Sequence, residues 1–308
     1  MMRIKIADTQ FAHGTSLGSG DLKIYPRYFE WYRGQDNIND VIVITESMFH
    51  KVDDFVEKIK IAWILEPKSI NPDSYQFIRS NWWKFNYILS SNYLFIDEIK
   101  GLIETCKKIN LPEGKMIYPS VNWYPFGGCW ILPEDRKIYP KKKLISIIAS
   151  EKRETEGHKL RHEIIDAIRK DPVVSKYVDV FGRGYNPVDY KLEALKDYRF
   201  SIVIENEKTP FWFTEKLIDC FMTGTVPIYW GITPIKGCIT FFNTADLIRK
   251  LQSWIFELGW KKNLILPLVS DFQFNNALQF TCPEDWLYEN FFMKQNDLRE
   301  ILIKQELL

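Results

Sequence analysis

Short apolar runs rich in β-branched residues recur along the chain with helix-length segments between them, and this alternation constrains the fold more than any other feature. The first series is "RIKIA" (Arg3–Ala7), "DVIVIT" (Asp40–Thr45), "KIAWIL" (Lys60–Leu65), "FNYILS" (Phe85–Ser90) and "KMIYPS" (Lys115–Ser120). Runs that are apolar almost throughout are buried on both faces, which is the pattern of a parallel sheet covered by helices. A stretch dense in turn signals, "YPFGGCWILPEDRKIYPKKK" (Tyr124–Lys143), then interrupts the alternation and reads as a linker. The second series follows: strand "LISIIAS" (Leu144–Ser150), a helix from about His158 to Lys170, strand "YVDVFG" (Tyr177–Gly182), a helix near Lys191–Leu195, strand "FSIVIE" (Phe200–Glu205), helix "EKLIDCFMTG" and strand "VPIYWG". A chain of 308 residues is long enough for two cores. The expected fold class is α/β, with two Rossmann-like domains facing each other across a cleft. The expected boundaries are 1–140, 141–283, and a helical segment over 284–308 that packs back on the first domain.

The formal net charge of +1 supplies no general field for nucleic acid or an acidic membrane, so anion handling falls to a few local cations. The five cysteines, Cys106, Cys129, Cys220, Cys238 and Cys282, are scattered and form no C-x-x-C pair. That argues against a disulfide framework or structural zinc and suits a reducing compartment. "MMRIKIADTQFAHGT" has no apolar leader region and no stretch has bilayer length, so a cytoplasmic protein in a bacterial or viral-host setting is expected.

Within "SIVIENEKTPFWFTEKLIDCFMTGTVPIYWG" (Ser201–Gly231) a strand breaks at Glu205-Asn206 and restarts as a helix. Thr214 is a suitable N-cap, Leu217, Ile218, Phe221 and Met222 share an apolar face, and Gly224 is a suitable C′ residue. In open parallel sheets ligands lie beyond the carboxyl ends of the strands, where helix N-termini offer free N–H groups to an anion. Lys216 stands in the first helical turn, where acids are usually preferred, and so points to an anionic ligand.

The run from Tyr198 to Gly231 resembles the donor-binding signature of the inverting fucosyltransferases of glycosyltransferase family ten, with its Phe-Glu-Asn-Ser, Tyr-Val-Thr-Glu-Lys and terminal Trp-Gly elements. The chain departs from the pattern at Glu207 in place of Ser, Trp212 in place of Tyr, Phe213 in place of Val, and "GITP" in place of Gly-Pro-Pro. The resemblance implies a GT-B fold and these roles: Asn206 contacts the sugar or its phosphates, Trp212 packs near the nucleotide, Glu215 binds ribose hydroxyls and Lys216 a phosphate. A carboxylate accepts from two vicinal hydroxyls and an ammonium neutralises phosphate charge, in keeping with these roles. Arg161 in "GHKLRHEII" matches the family arginine that reaches the donor diphosphate, with Arg153 as a competitor. Gly182, Arg183 and Gly184 in "DVFGRGYNPV" match a glycine-bearing turn, and Glu205 and Thr214 complete the further donor-site candidates.

Inverting transfer needs a carboxylate beside the acceptor hydroxyl. Glu66 in "WILEP" resembles the family's general base, with Glu46 and the pair Asp53-Asp54 as rivals, the latter expected to cap or cover a helix in "VDDFVEKIK". His158 and His162 lie four apart without a third ligand, His13 and His50 form no spaced pair, and no Asp-x-Asp triplet occurs. No metal and no cofactor is therefore expected, with Arg161 and Lys216 meeting the charge of the leaving diphosphate. The implied function is metal-independent inverting transfer of a sugar, first of all L-fucose from GDP-fucose, to a glycan hydroxyl. The alternatives are another donor such as UDP-xylose, or a non-catalytic sugar- or nucleotide-binding protein.

Overall fold

The computed structural model describes residues 1–109, 117–231, 237–257 and 269–306. The chain divides into two units: Met1–Gly128 with Thr209–Trp212 and Cys282–Leu308, and Cys129–Lys208 with Phe213–Thr281. Each is built on a parallel sheet, the α/β class that the two series of apolar runs predict.

The N-terminal sheet comprises β1 (Met2–Ala7), β2 (Phe29–Tyr32), β3 (Val41–Thr45), β4 (Ile59–Ile64), β5 (Tyr87–Ser90) and β6 (Ser120–Trp123) in the order β2-β1-β3-β4-β5-β6. The central strands β3, β4 and β5 read as nearly unbroken apolar runs because both faces are covered. Along β3, Val41 and Val43 point into one core while Ile42 and Ile44 point into the other. The second of these cores is filled by α1 (Pro72–Asn81) and α2 (Tyr93–Lys108) through Tyr75, Ile78, Phe95, Ile96 and Ile99. The β6 strand starts where the "KMIYPS" run ends; Lys115 and Met116 lie outside the described residues. The "VDDFVEKIK" helix does not form. Glu46–Asp54 is a 3-10 stretch, and the chain turns extended at Phe55 to enter β4.

The first core is closed by α7 (Pro283–Asn290), α8 (Asn296–Glu306) and the 3-10 turn between them, through Leu287, Phe291, Phe292, Leu298 and Leu302. Glu284 fixes this closure. Fully buried, its carboxylate accepts from Ser16 Oγ at 2.6 Å, Leu17 N at 2.7 Å and Trp31 Nε1 at 2.9 Å. Asp297 accepts from the Tyr87 hydroxyl at 2.7 Å.

The C-terminal sheet comprises β7 (Lys143–Ile148), β8 (Val178–Phe181), β9 (Tyr198–Ile204), β10 (Val226–Trp230) and β11 (Ile239–Thr240), ordered β11-β10-β9-β7-β8. The helices α3 (Glu156–Lys170), α4 (Glu215–Met222), α5 (Thr244–Glu257) and α6 (Asp271–Leu278) supply its cover. Strand order reverses between β7 and β9, the switch point at whose carboxyl side open α/β sheets take ligands. The unit starts at Cys129, earlier than the expected 140/141 boundary, because Cys129 and Ile131 are fully buried in this unit's core. The segment Lys191–Ala194 is a 3-10 turn rather than a regular helix. Among the described residues no helix is long and apolar enough to cross a membrane.

Replacing Glu284 by Ala leaves Ser16, Leu17 N, Trp31 and the Cys282 thiol without their acceptor, so the N-terminal unit is expected to lose about 3 kcal/mol or more of stability. Urea unfolding followed by tryptophan fluorescence measures this; an unchanged midpoint would contradict the assigned anchoring role.

Candidate functional site

The break after β9 is a braced turn. The Glu205 carboxylate is fully buried, accepting from Thr214 N at 3.0 Å and from Thr214 Oγ1 at 2.8 Å. Thr214 in turn caps α4, its hydroxyl accepting from Lys216 N at 3.4 Å. The helix stops as its sequence requires, with Gly224 at φ 69° donating its N–H to Phe221 O. On the other side of the turn, Gly157 in the first turn of α3 donates to Asn206 O at 3.0 Å. A Cβ there would lie 1.7 Å from the Glu205 carbonyl oxygen, so only glycine permits the approach. Arg161, one turn further along α3 and almost fully buried, gives Nε to Ile204 O at 3.1 Å and Nη2 to Asn206 Oδ1 at 3.0 Å.

A cavity of about 740 Å³ opens in this unit, and the residues that border it include Ile148, Ala149 and Ser150 after β7, Gly182 and Arg183 after β8, Arg161, Lys191, Glu215 and Lys216. Gly182, at φ 110°, has Ala149 O 1.9 Å from where a Cβ would stand, so the two strand ends meet only through a glycine. The Lys216 ammonium lies 3.3 Å from Glu215 Oε1 and 3.6 Å from Glu205 Oε2. Burial by itself would raise the Glu215 carboxyl, but the charges of Lys216 and Lys191 hold it down at about 2, so it is an anion at any working pH. Burial pushes Arg161 below the ordinary arginine value, opposed by Glu205 and Glu215. The site thus offers paired positive charge and one ionised carboxylate, suited to a diphosphate and a vicinal diol.

Of the sequence-derived candidates, Arg161, Gly182, Arg183, Glu215 and Lys216 line this cavity. Three others shape it from behind: Glu205 and Thr214 hold each other, and Asn206 holds Arg161, so these side chains spend their hydrogen bonds on the turn. Arg153 is exposed outside the lining. Trp212 groups with the N-terminal unit and is buried, in a turn closed by its own N–H to Thr209 O at 3.2 Å. It does not stand at the cavity. His158 completes the capping box of α3 with Thr155, and burial pushes it down to about 4; His162 bonds Tyr185 Oη and Lys152 O.

Sequence reasoning missed Lys191 and Asp219. Lys191 Nζ lies 2.5 Å from Asp219 Oδ2, 3.7 Å from Glu215 Oε1 and 5.0 Å from the Trp130 ring centroid. Asp219 also accepts from Trp130 N at 2.7 Å. The available signal was a lone acid inside the apolar helix "LIDCFM".

In the N-terminal unit Glu66 follows β4 at the carboxyl edge of the sheet, half-buried, with Gln10 Nε2 donating to its Oε1 at 3.4 Å. Its rival Glu46 is buried beneath it, accepting from Leu65 N at 2.5 Å and Glu66 N at 2.6 Å through one oxygen. Burial pushes the Glu46 carboxyl up to about 8, although these N–H groups favour the ionised form. Glu46 therefore shapes the turn that presents Glu66. Asp53 and Asp54 are exposed at the end of the 3-10 stretch. Among the described residues no group of three His, Cys, Asp or Glu side chains is arranged to hold a metal ion.

Comparison with known proteins bears on the segment that forms the cavity. Residues 138–240 match the family model for glycosyltransferase family 10 (fucosyltransferase) C-term. That span holds Arg161, Lys191, Glu215 and Lys216 but not Glu66. An α-(1,3)-fucosyltransferase of Helicobacter pylori is 31% identical over 117 residues, 36% of this chain and 23% of that protein. A putative fucosyltransferase of Acanthamoeba polyphaga mimivirus is 35% identical over 108 residues, 26% of this chain and 18% of that protein. The chain thus spans less than a quarter of either relative in these matches. Among solved structures, an α,α-trehalose-phosphate synthase (UDP-forming) from Burkholderia vietnamiensis aligns with a TM-score of 0.50 at 10% identity, covering 85% of this chain and 72% of that one, a likeness of fold alone.

Two outcomes are expected. Lys191→Met strands the buried Asp219 carboxylate, and should destabilise the protein by about 3–5 kcal/mol in chemical denaturation. For Glu46 the folded value of about 8 stands above the ordinary 4.5, so between these pH values the folded chain keeps a proton that the unfolded chain has released. Stability attributable to this group is whole below the lower value and is lost as pH rises toward the upper one, by up to roughly 1.4 kcal/mol per pH unit. Urea titrations at several pH values should show that slope in the wild type and a flatter one in Glu46→Gln.

Proposed function

We propose that the chain is an inverting glycosyltransferase that moves L-fucose from GDP-fucose to a hydroxyl of a glycan acceptor. The observation that carries this reading is the meeting of Arg161, Glu215 and Lys216 in one cavity formed by the segment that matches the fucosyltransferase family model. The choice of fucose and of GDP rests on that match, on the Tyr198–Gly231 signature and on the two fucosyltransferase relatives.

In this reading Arg161 and Lys216, at the positive end of the α4 dipole, receive the diphosphate, and Glu215 accepts from the ribose hydroxyls. Glu66 takes the proton of the acceptor hydroxyl as its oxygen attacks the anomeric carbon; the bond from that carbon to the phosphate oxygen breaks on the opposite face, and GDP leaves with the electron pair. Two fixed cations meet the charge that develops on the leaving group, the task that a divalent metal performs in other transferases. The reaction accordingly runs without a metal.

The test is GDP release from GDP-fucose by the purified chain, with and without glycan acceptors, and with UDP-xylose as the competing donor. Glu66→Gln is expected to lower turnover by about 10²–10⁴-fold while GDP affinity is kept, and EDTA is expected to change neither. A chain that binds GDP but never turns over, with or without Glu66, would be a binding protein instead. Turnover abolished by EDTA and restored by a divalent ion would remove the metal-free step.

A further inference from the structure

Three aromatic side chains of the N-terminal unit form an exposed cluster. The ring of Phe211 lies 5.5 Å from that of Tyr93 and 6.4 Å from that of Trp123, centroid to centroid and near edge-on. They are 54%, 40% and 36% exposed respectively. The Trp123 ring is fixed by its Nε1, which donates to Ser91 O at 3.1 Å. Tyr93 is the first residue of α2, whose N-cap Asn92 accepts from Phe95 N.

Phe211 is held at a cost. It is the third residue of the turn Thr209–Pro210–Phe211–Trp212, closed by Trp212 N to Thr209 O at 3.2 Å, with φ 60°. A proline at the second position with positive φ at the third is the turn that calls for glycine or asparagine there. A bulky residue in that conformation is strained, and strain of this kind is found where a side chain has a task. Here the strained residue points a large apolar ring at solvent instead of burying it.

The cluster also stands at a particular edge. Trp123 ends β6, Tyr93 follows β5, and Glu66 follows β4, and these three strands are neighbours in the sheet. At a strand spacing of ~4.8 Å, the ends of β4 and β6 are about 10 Å apart, the length of one to two sugar rings. Pyranose rings present faces of C–H groups whose partial positive charge suits the negative face of an aromatic ring, while their hydroxyls stay at the rim for polar groups.

We propose that Phe211, Trp123 and Tyr93 form a stacking platform for a pyranose ring of the acceptor, beside the carboxylate of Glu66. This rests on the reading of Glu66 as the base toward an acceptor hydroxyl. The turn that carries Phe211 trades backbone comfort for the ring, and the platform selects a sugar by its apolar face and not by charge.

The test is saturation-transfer NMR on the full chain with lactose, cellobiose and maltose at up to ~10 mM, an order of magnitude above a millimolar site, with GDP binding measured by calorimetry on the same samples. Phe211→Gly suits the positive φ, so it keeps the turn and should not lower the melting temperature, yet it removes the ring. The expected result is transfer to the ring C–H protons of at least one disaccharide in the wild type. Phe211→Gly and Trp123→Leu should each reduce it at least fivefold, with GDP affinity unchanged, and Phe211→Trp should retain it. No transfer from the wild type to any of the three sugars overturns the platform, as does equal transfer in the wild type and in Phe211→Gly. If the wild type takes up the sugars in this ring-dependent way but not GDP, the donor reading fails and the platform stands.

Discussion

The buried carboxylate of Glu205 is the interaction on which the C-terminal unit's chemistry depends. A carboxylate with no solvent exposure is tolerable only if its oxygens are bonded and its charge answered. Thr214 bonds both oxygens, and Lys216 answers the charge from 3.6 Å. Together these contacts fix the end of β9 to the start of α4. The same strand end is gripped from the other side by Arg161 through Ile204 O, and by Gly157, which has no side chain to keep it away. The end of one strand therefore sets the entry of two helices, and the cavity lies beside this junction.

This arrangement explains why the cations of the site are already partnered. Lys216 is shared among Thr214, Glu205 and Glu215, Lys191 is held by Asp219 and Glu215, and Arg161 spends two of its three nitrogens on the backbone and Asn206. Long side chains fixed in this way lose little further entropy when an anion arrives, so more of the attraction appears as affinity. The balance of signs matters equally. With Glu215 among the cations, the lining favours a ligand that pairs a negative group with hydroxyl donors over a bare polyanion.

The fold was legible where burial on both faces writes itself as an apolar run: β3, β4, β7, β9 and β10 are such runs. It was not legible at β2, whose sequence Phe-Glu-Trp-Tyr is a short edge strand with Glu30 exposed. In the site, local signals served for α4, because an N-cap Thr, an apolar face and a C′ Gly are all contained in the helix. What local sequence does not carry is the direction of a side chain. Glu205 and Glu215 are both acids beside the turn, yet one is consumed by Thr214 and the other borders the cavity. Glu46 and Glu66 both follow apolar strands, and only tertiary packing separates the buried acid that organises the Leu65–Glu66 turn from the half-buried one it presents. Lys191 and Asp219 meet across separate elements, and nothing in either stretch alone announces the pair.

The same limit applies to the end of the chain. An amphipathic pattern over 284–308 says that a face must be buried but not against which core, since Leu287, Phe292 and Leu298 suit any apolar surface. The decision is made by polar groups that fit in one place: the Glu284 carboxylate meets a hydroxyl and a backbone N–H from the segment between β1 and β2 and an indole N–H from β2 itself. Misplaced helices would leave that charge buried and unpaired, which is worse than leaving the helices in water. The N-terminal sheet consequently draws one layer from α7 and α8, which lie on the far side of the C-terminal unit in the chain, so one face of β1, β3 and β4 stays without its cover until those helices dock. The C-terminal core instead closes with segments between Cys129 and Thr281. The N-terminal unit must therefore close a longer loop than the C-terminal one, a cost that grows only slowly with length but that raises its contact order.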